Sequence, residues 1–288
     1  MKLSAITLLT GLFISAGFVS CKKDEKGDAA VVQLDLKKVS YGSDTSQNMD
    51  VYIPAGRDSV NTKVILFIHG GSWSSGDKTE FNEAIDSIRN RLNNYAIFNM
   101  NYRLAFNGKN RFPSQIEDIQ SALAFISSKA VEYRVNPNKI CLIGASAGAH
   151  LALLQAYKNN SNGKIKAVVD LFGPTDLTDL YNHHPFPEAS KPILFNLMGT
   201  TPASNPTAYI NASPVNFVSA QSVPTQIFHG NSDIVVPISQ SYNLKTALEA
   251  NNVKVEMTVY QGEGHGWYGS NLSDTYNKAI KFITENVN

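Results

Sequence analysis

Apolar and polar residues alternate along 'VVQLDLKKVSYG' and 'QNMDVYIPAG', the period of half-buried antiparallel strands. From Lys63 the pattern changes. 'KVILFIHG' is a continuous apolar run, as in a strand covered on both faces. 'KTEFNEAIDSIRNRLNN' follows with helical spacing, then strand 'YAIFNMNYR', helix 'PSQIEDIQSALAFISSKA' and strand 'KICLIG'. Helix 'AGAHLALLQAY' and strand 'IKAVVDLFG' complete the run. Strands alternating with helices predict βαβ units, hence an α/β fold: a mostly parallel central sheet with helices on both faces. The alternation lapses over residues 174–222, which are rich in proline and show little clear period; this stretch reads as a short cap or insert. Order returns with strand 'PTQIFHG', helix 'SQSYNLKTALEANN', strand 'VKVEMTVYQG' and a final helix 'SDTYNKAIKFITENVN'. No internal repeat is visible.

The first residues break this pattern. 'MK' gives a positive start, and 'LSAITLLTGLFISAGFVS' is apolar but too short and too rich in Ser, Thr and Gly for a membrane span. Residues 1–20 therefore read as a signal peptide ending before Cys21. 'FVSC' resembles the lipobox of bacterial lipoproteins, in which the cysteine is lipidated and becomes the mature N-terminus. Phe18 stands where that motif usually carries Leu. The alternative is an ordinary secretory signal cleaved nearby. 'KKDEKGDAA' has no apolar period, so residues 21–30 read as a solvated tether and 31–288 as the folded domain. The location this implies is the bacterial cell envelope: the outer membrane, facing the periplasm or the surface, with the lipid anchor as the membrane partner.

Composition narrows the chemistry. With 288 residues, 43% hydrophobic and 17% charged, the chain can bury a sizeable core. A formal net charge of +1, with no basic block, gives no support for nucleic-acid binding. Once the leader and Cys21 are set aside, Cys141 is the remaining thiol and has no intramolecular disulfide partner; inside an apolar strand it reads as buried and inert. His183 and His184 are adjacent in the insert but have no metal-ligand spacing, and no Gly-rich nucleotide loop is present. The expectation is no metal, no cofactor and no obligate protein partner.

One junction carries chemistry. Between strand 'KICLIG' and the next helix lies Gly144-Ala145-Ser146-Ala147-Gly148. A serine flanked by glycines at a sharp strand–helix turn is lifted above the sheet beside a helix N-terminus, as a nucleophile requires. A serine hydroxyl needs a base. His265, in the Gly-rich loop 'GEGHGW', suits the chain order Ser, acid, His. His150 sits one turn beyond Ser146 and reads as packed, and His229 ends its strand and shapes the loop that follows. Asp233, shortly after a strand, is the favoured acid, and Asp176 in 'FGPTDL' is its competitor. 'FIHGGSW' places Gly70 and Gly71 just after a buried strand, where their amides, with that of Ala147, suit an oxyanion. Trp73 and Trp267 follow these loops and read equally as packing or as pocket walls. Asp118 and Arg103 read as a scaffold ion pair, and His183, His184 and Phe186 as a surface loop.

Taken together, 'HGGSWSSGDK', 'NYRLA', 'FPSQIEDIQSAL', 'GASAGAHLA', 'SPVNFV', 'HGNSDIVVPISQS' and 'GEGHGW' resemble an α/β-hydrolase of the HGG-type esterase/lipase group. The branch they most resemble contains bacterial acetyl xylan and feruloyl esterases, with prolyl-oligopeptidase-like and kynurenine-formamidase-like relatives. The resemblance implies Ser146 as nucleophile, Asp233 as acid, His265 as base, and Gly71 and Ala147, with Gly70 nearby, as oxyanion donors. Where many relatives have a third glycine this chain has Ser72. The implied activity is hydrolysis of short-chain carboxylic esters, acetyl or feruloyl groups on plant polysaccharides among them, through an acyl-enzyme. An amidase or peptidase with the same site is the first alternative, and a non-catalytic binding protein on this fold the second.

Overall fold

The continuous apolar runs are strands whose alternate side chains feed two separate cores. In β3 (Lys63–Ile68), Val64, Leu66 and Ile68 enter one cluster, and Ile65 and Phe67 the other. The computed structural model describes residues 31–288. The signal peptide, the tether and Cys21 lie outside the described residues. Among the described residues, the other strands of the sheet are β1 (Leu34–Ser40), β2 (Asn48–Ile53), β4 (Tyr95–Met100), β5 (Ile140–Ala145), β6 (Ile165–Leu171), β7 (Thr225–Gly230) and β8 (Val255–Tyr260). Their spatial order is β1-β2-β4-β3-β5-β6-β7-β8. β1 and β2 pair antiparallel, as do β2 and β4, and every pairing from β4 to β8 is parallel. The two alternating stretches of the sequence are thus the antiparallel edge of this mostly parallel sheet.

Helices cover both faces. α1 (Asn82–Arg89) and α9 (Gly269–Asn286) bury Ile85, Ile88, Phe282 and Ile283 against Phe67, Ile143 and Phe228. On the other face, α2 (Ser114–Ser128), with the single turn α3 (Ala130–Tyr133), α4 (Ala147–Lys158) and α8 (Ser239–Ala250) pack on Leu66, Leu142 and Val168. Truncating one such fully buried ring, Phe282→Ala, costs about 3–5 kcal/mol. Cys141 is fully buried in the first of these cores. No helix among the described residues is long and apolar enough to cross a membrane.

The insert holds more regular structure than its sequence period shows. Residues 174–222 contain α5 (Leu177–His183), α6 (Pro187–Met198), α7 (Pro206–Ala212) and a short 3-10 turn (Pro214–Phe217). Pro187 and Pro206 are helix starts rather than breaks, because the first helical residue has no N–H to lose. Asp176 and Asn205 cap α5 and α7 through their side chains. Helices this short, one with Pro192 inside it, leave little period to read.

Candidate active site

The loops following β3, β5, β7 and β8 meet at the carboxyl edge of the sheet, where open α/β sheets bind their ligands. Ser146 stands between β5 and α4 with φ 52° and ψ −118°, a strained conformation for a residue with a Cβ. Its N–H donates to Leu171 O at 2.8 Å and its carbonyl accepts from His150 N at 3.0 Å, so the turn is held from both sides. The flanking glycines are steric necessities. A Cβ on Gly144 would lie 2.4 Å from the Gly148 carbonyl, and one on Gly148 would lie 2.0 Å from Ile68 O.

His265 reaches this serine from the loop after β8. Its Nε2 lies 2.9 Å from Ser146 Oγ and its Nδ1 lies 2.7 Å from Asp233 Oδ2. With Nδ1–H donating to the carboxylate, Nε2 is left to accept the serine proton. The ring packs against Phe172, with centroids 4.6 Å apart. Asp233 Oδ1 accepts from Val235 N at 2.8 Å and Val236 N at 3.0 Å. Burial alone would raise this carboxyl, but hydrogen bonds from His229, His265 and Val236 outweigh it and hold the group well below the usual carboxylate range.

His229 shapes the acid loop. Its Nδ1 accepts from Ser241 Oγ at 2.7 Å, and its Nε2–H faces Val236 O at 2.8 Å and Asp233 Oδ2 at 3.3 Å. One carboxylate oxygen therefore faces two imidazoles, a contact the sequence signals only by a histidine four residues before an aspartate. Asp176 is elsewhere: its Oδ1 accepts from Thr178 N and Asp179 N at the start of α5. His184 is buried rather than on a surface loop, and its Nε2 meets Val235 O at 3.1 Å, which joins the insert to the acid loop. His183 is exposed and pairs with Asp179. Arg103 and Asp118 form an ion pair at 2.6 Å, to which Gln47 adds a bond.

The loop after β3 aims its amides by tying back its carbonyls. Gly70 O accepts from His69 Nδ1–H at 2.8 Å and Tyr102 Oη at 3.1 Å. Gly71 O accepts from Ser74 N, Ser75 N and Ser75 Oγ. In a trans peptide the N–H points opposite the preceding carbonyl, so the Gly71 and Ser72 amides face away from these anchors. Neither donates to an acceptor among the described residues, and Ala147 N, at the first position of α4, has no helical partner.

Trp73 and Ser146 line one small, partly open cavity of about 40 Å³, with Ser72, Pro174, Leu180 and Leu194 also in its wall. Trp267 is not in its wall. It packs on the opposite face against Phe172 and Tyr260, donates to Thr275 Oγ1 at 2.8 Å and borders a separate apolar cavity of about 360 Å³. Below the site, Asp170 is fully buried; Gly173 N donates to its Oδ1 at 2.8 Å and its Oδ2 has no partner among the described residues. Burial pushes this carboxyl up to about 7, against the lowering effect of the Gly173 amide and His229.

The chain is similar to several known proteins. The family described as BD-FAE matches residues 49–248. A probable carboxylic ester hydrolase, LipM of Mycobacterium tuberculosis, is 30% identical over 217 residues, covering 70% of this chain and 49% of its own length. A probable isoprenylcysteine alpha-carbonyl methylesterase of Oryza sativa is 28% identical, covering 80% of this chain and 56% of that protein. The chain thus spans about half the length of these curated relatives. Among solved structures, a truncated carbohydrate esterase from gut microbiota superposes with TM-score 0.74 at 24% identity, covering 88% of this chain and 96% of the other. An esterase of Thermogutta terrifontis gives TM-score 0.69 at 22% identity, covering 88% and 92%. At these identities the structural likeness speaks for the fold.

Proposed function

Because the chain belongs to the BD-FAE family of α/β-hydrolases, we propose that it is a serine hydrolase of short-chain carboxylic esters that works through an acyl-enzyme. One observation carries this reading: a single imidazole, His265, spans Ser146 Oγ at 2.9 Å and Asp233 Oδ2 at 2.7 Å. In this reading His265 Nε2 takes the Ser146 proton as Oγ attacks the ester carbon. The oxyanion forms against the amides of Gly71 and Ala147, with Ser72 adjacent. The carbonyl re-forms as the C–O bond to the alcohol breaks, and the alcohol departs with the proton from His265. Water, deprotonated by the same imidazole, then attacks the acyl carbon and releases the acid and Ser146. Asp233 fixes the tautomer and stabilises the imidazolium, which is why two amides and two imidazoles hold it anionic.

The cavity beside Ser146 supports a short acyl group. About 40 Å³ beside Ser146, walled by Trp73 and three aliphatic side chains of α5 and α6, supports acetyl and similarly short groups. The likeness to a carbohydrate esterase fold supports an acylated carbohydrate as the substrate class. On matched nitrophenyl esters, acetyl is expected to exceed octanoyl in kcat/KM by at least roughly two decades, since methylenes that cannot enter lose binding one by one. Faster octanoyl or feruloyl turnover contradicts the narrow pocket, and no ester turnover at all contradicts the reading itself. The leader ending at Cys21 supports a place on the cell envelope for this hydrolase.

A further inference from the structure

Phe172 follows the end of β6 with φ 47°, a left-handed conformation that is an outlier for so bulky a side chain. Glycine would take that turn without strain, so the ring there needs a reason, and strained residues gather where a site depends on them. The turn is pinned along its length. Ser146 N–H donates to Leu171 O, Phe172 N–H to Phe228 O and Gly173 N–H to Asp170 Oδ1, each at 2.8 Å. Gly173 lies so close to α4 that a Cβ on it would stand 2.7 Å from the Cβ of Ala149. The turn is thereby fixed to β7 and to the helix that follows the nucleophile. From this fixed base the Phe172 ring meets the His265 imidazole, with centroids 4.6 Å apart and planes inclined at 57°. It meets Trp267 edge to face at 5.4 Å. Such inclined contacts are the ones aromatic rings favour.

We infer that Phe172 is a positioning residue: its ring bears on the face of His265 and keeps Nε2 directed at Ser146 Oγ. This inference rests on the proposed reading of Ser146 and His265 as nucleophile and base. Consecutive residues of one turn then register both groups, since Leu171 O holds the amide of Ser146 and Phe172 meets the ring of His265. Asp233 does not do this alone. Its Oδ2 bonds the imidazole at Nδ1, which sets the tautomer but leaves the ring free to tilt about that bond. A tilt moves Nε2, the atom that has to lie within hydrogen-bond reach of the proton it takes. A displacement of about 1 Å there is enough to cost a large part of the rate. The strain at Phe172 is accounted for if a ring, rather than a glycine, is required at that point of the turn.

The test sets Phe172→Leu and Phe172→Tyr beside the wild-type protein on one acetyl ester, with the rate of fluorophosphonate labelling at Ser146 as a second readout and all rates referred to folded protein. Leucine keeps an apolar side chain and loses the flat face; tyrosine keeps the face. Phe172→Leu should lower kcat by roughly tenfold with KM held within about twofold, and should slow labelling by a similar factor, because both reactions need the Ser146 proton removed. Phe172→Tyr should stay within about threefold of the wild-type protein in both readouts. Phe172→Met, unbranched and adaptable, carries the test if the leucine variant folds poorly. Wild-type kcat and labelling in the leucine or methionine variant, a loss confined to KM, or a tyrosine variant as impaired as the leucine one overturns the role of Phe172 while wild-type turnover stands. A wild-type protein that neither hydrolyses the ester nor labels at Ser146 overturns the esterase reading as well.

Discussion

The indole N–H of Trp73 donates to Nδ1 of His150 at 3.1 Å, and His150 Nε2–H in turn meets Ala212 O at 2.7 Å. One buried imidazole thus ties the loop carrying Gly70 and Gly71, the helix that follows Ser146 and the end of α7. The two rings also meet edge to face, 5.1 Å apart. Trp73→Phe keeps a ring but leaves Nδ1 without its donor, which should cost about 1–3 kcal/mol in urea denaturation. kcat/KM should fall with it, because the oxyanion loop loses its tie to the nucleophile helix. An unchanged unfolding midpoint would show that this bond holds nothing.

Two buried groups should oppose each other in the pH dependence of stability. Burial lowers His150 to about 4 from 6.5, so on acidification through that window the unfolded chain takes a proton that the folded protein refuses, and stability falls. Burial lowers His69 as well, in the same sense. Asp170 does the reverse: raised from 3.8 to about 7, it keeps a proton that the unfolded chain has released, so stability falls as pH rises across that range. Asp170→Asn should therefore be more stable than the wild-type protein at about pH 8, and its acid-side loss below about pH 6.5 should be steeper, by roughly 1.4 kcal/mol per pH unit at most. Parallel Tm–pH profiles for the two proteins would contradict the assignment of that slope to Asp170.

Asp233→Asn should lower kcat by about 10⁴, through loss of the imidazole tautomer that leaves Nε2 free to accept. Asp176→Asn should cost far less, because an asparagine caps α5 nearly as well as the aspartate it replaces. Steady-state kinetics on one acetyl ester ranks the two, and the opposite ranking moves the acid role to Asp176.

Strands β3 to β6 were legible because strands covered on both faces are continuous apolar runs, with α1 between β3 and β4 carrying a clear amphipathic period. Ser146, Asp233 and His265 were legible because each follows a strand and the first and last are flanked by glycines. The helices of the insert were hidden by their shortness and by prolines at their first positions. His184 was read as surface because its partner, Val235 O, is 51 residues away in sequence. The second imidazole on Asp233 was hidden too: a strand-end histidine shows where the loop begins and not which way its ring turns.

The envelope reading predicts that full-length protein partitions into detergent and that Cys21→Ala abolishes both partitioning and acylation. Triton X-114 phase separation with intact-mass measurement checks it. A Cys21→Ala protein that is still acylated and membrane-bound would contradict the anchor and leave the hydrolase site untouched.

The central claim is that Ser146 is a nucleophile activated by His265, and a fluorophosphonate tests it most directly, because phosphonylation requires an activated serine. Peptide mass mapping should place one adduct on Ser146, absent in Ser146→Ala and slowed by at least roughly a hundredfold in His265→Ala, the scale of general-base assistance. No adduct in the folded wild-type protein, or an adduct that persists on another residue in Ser146→Ala, would contradict it.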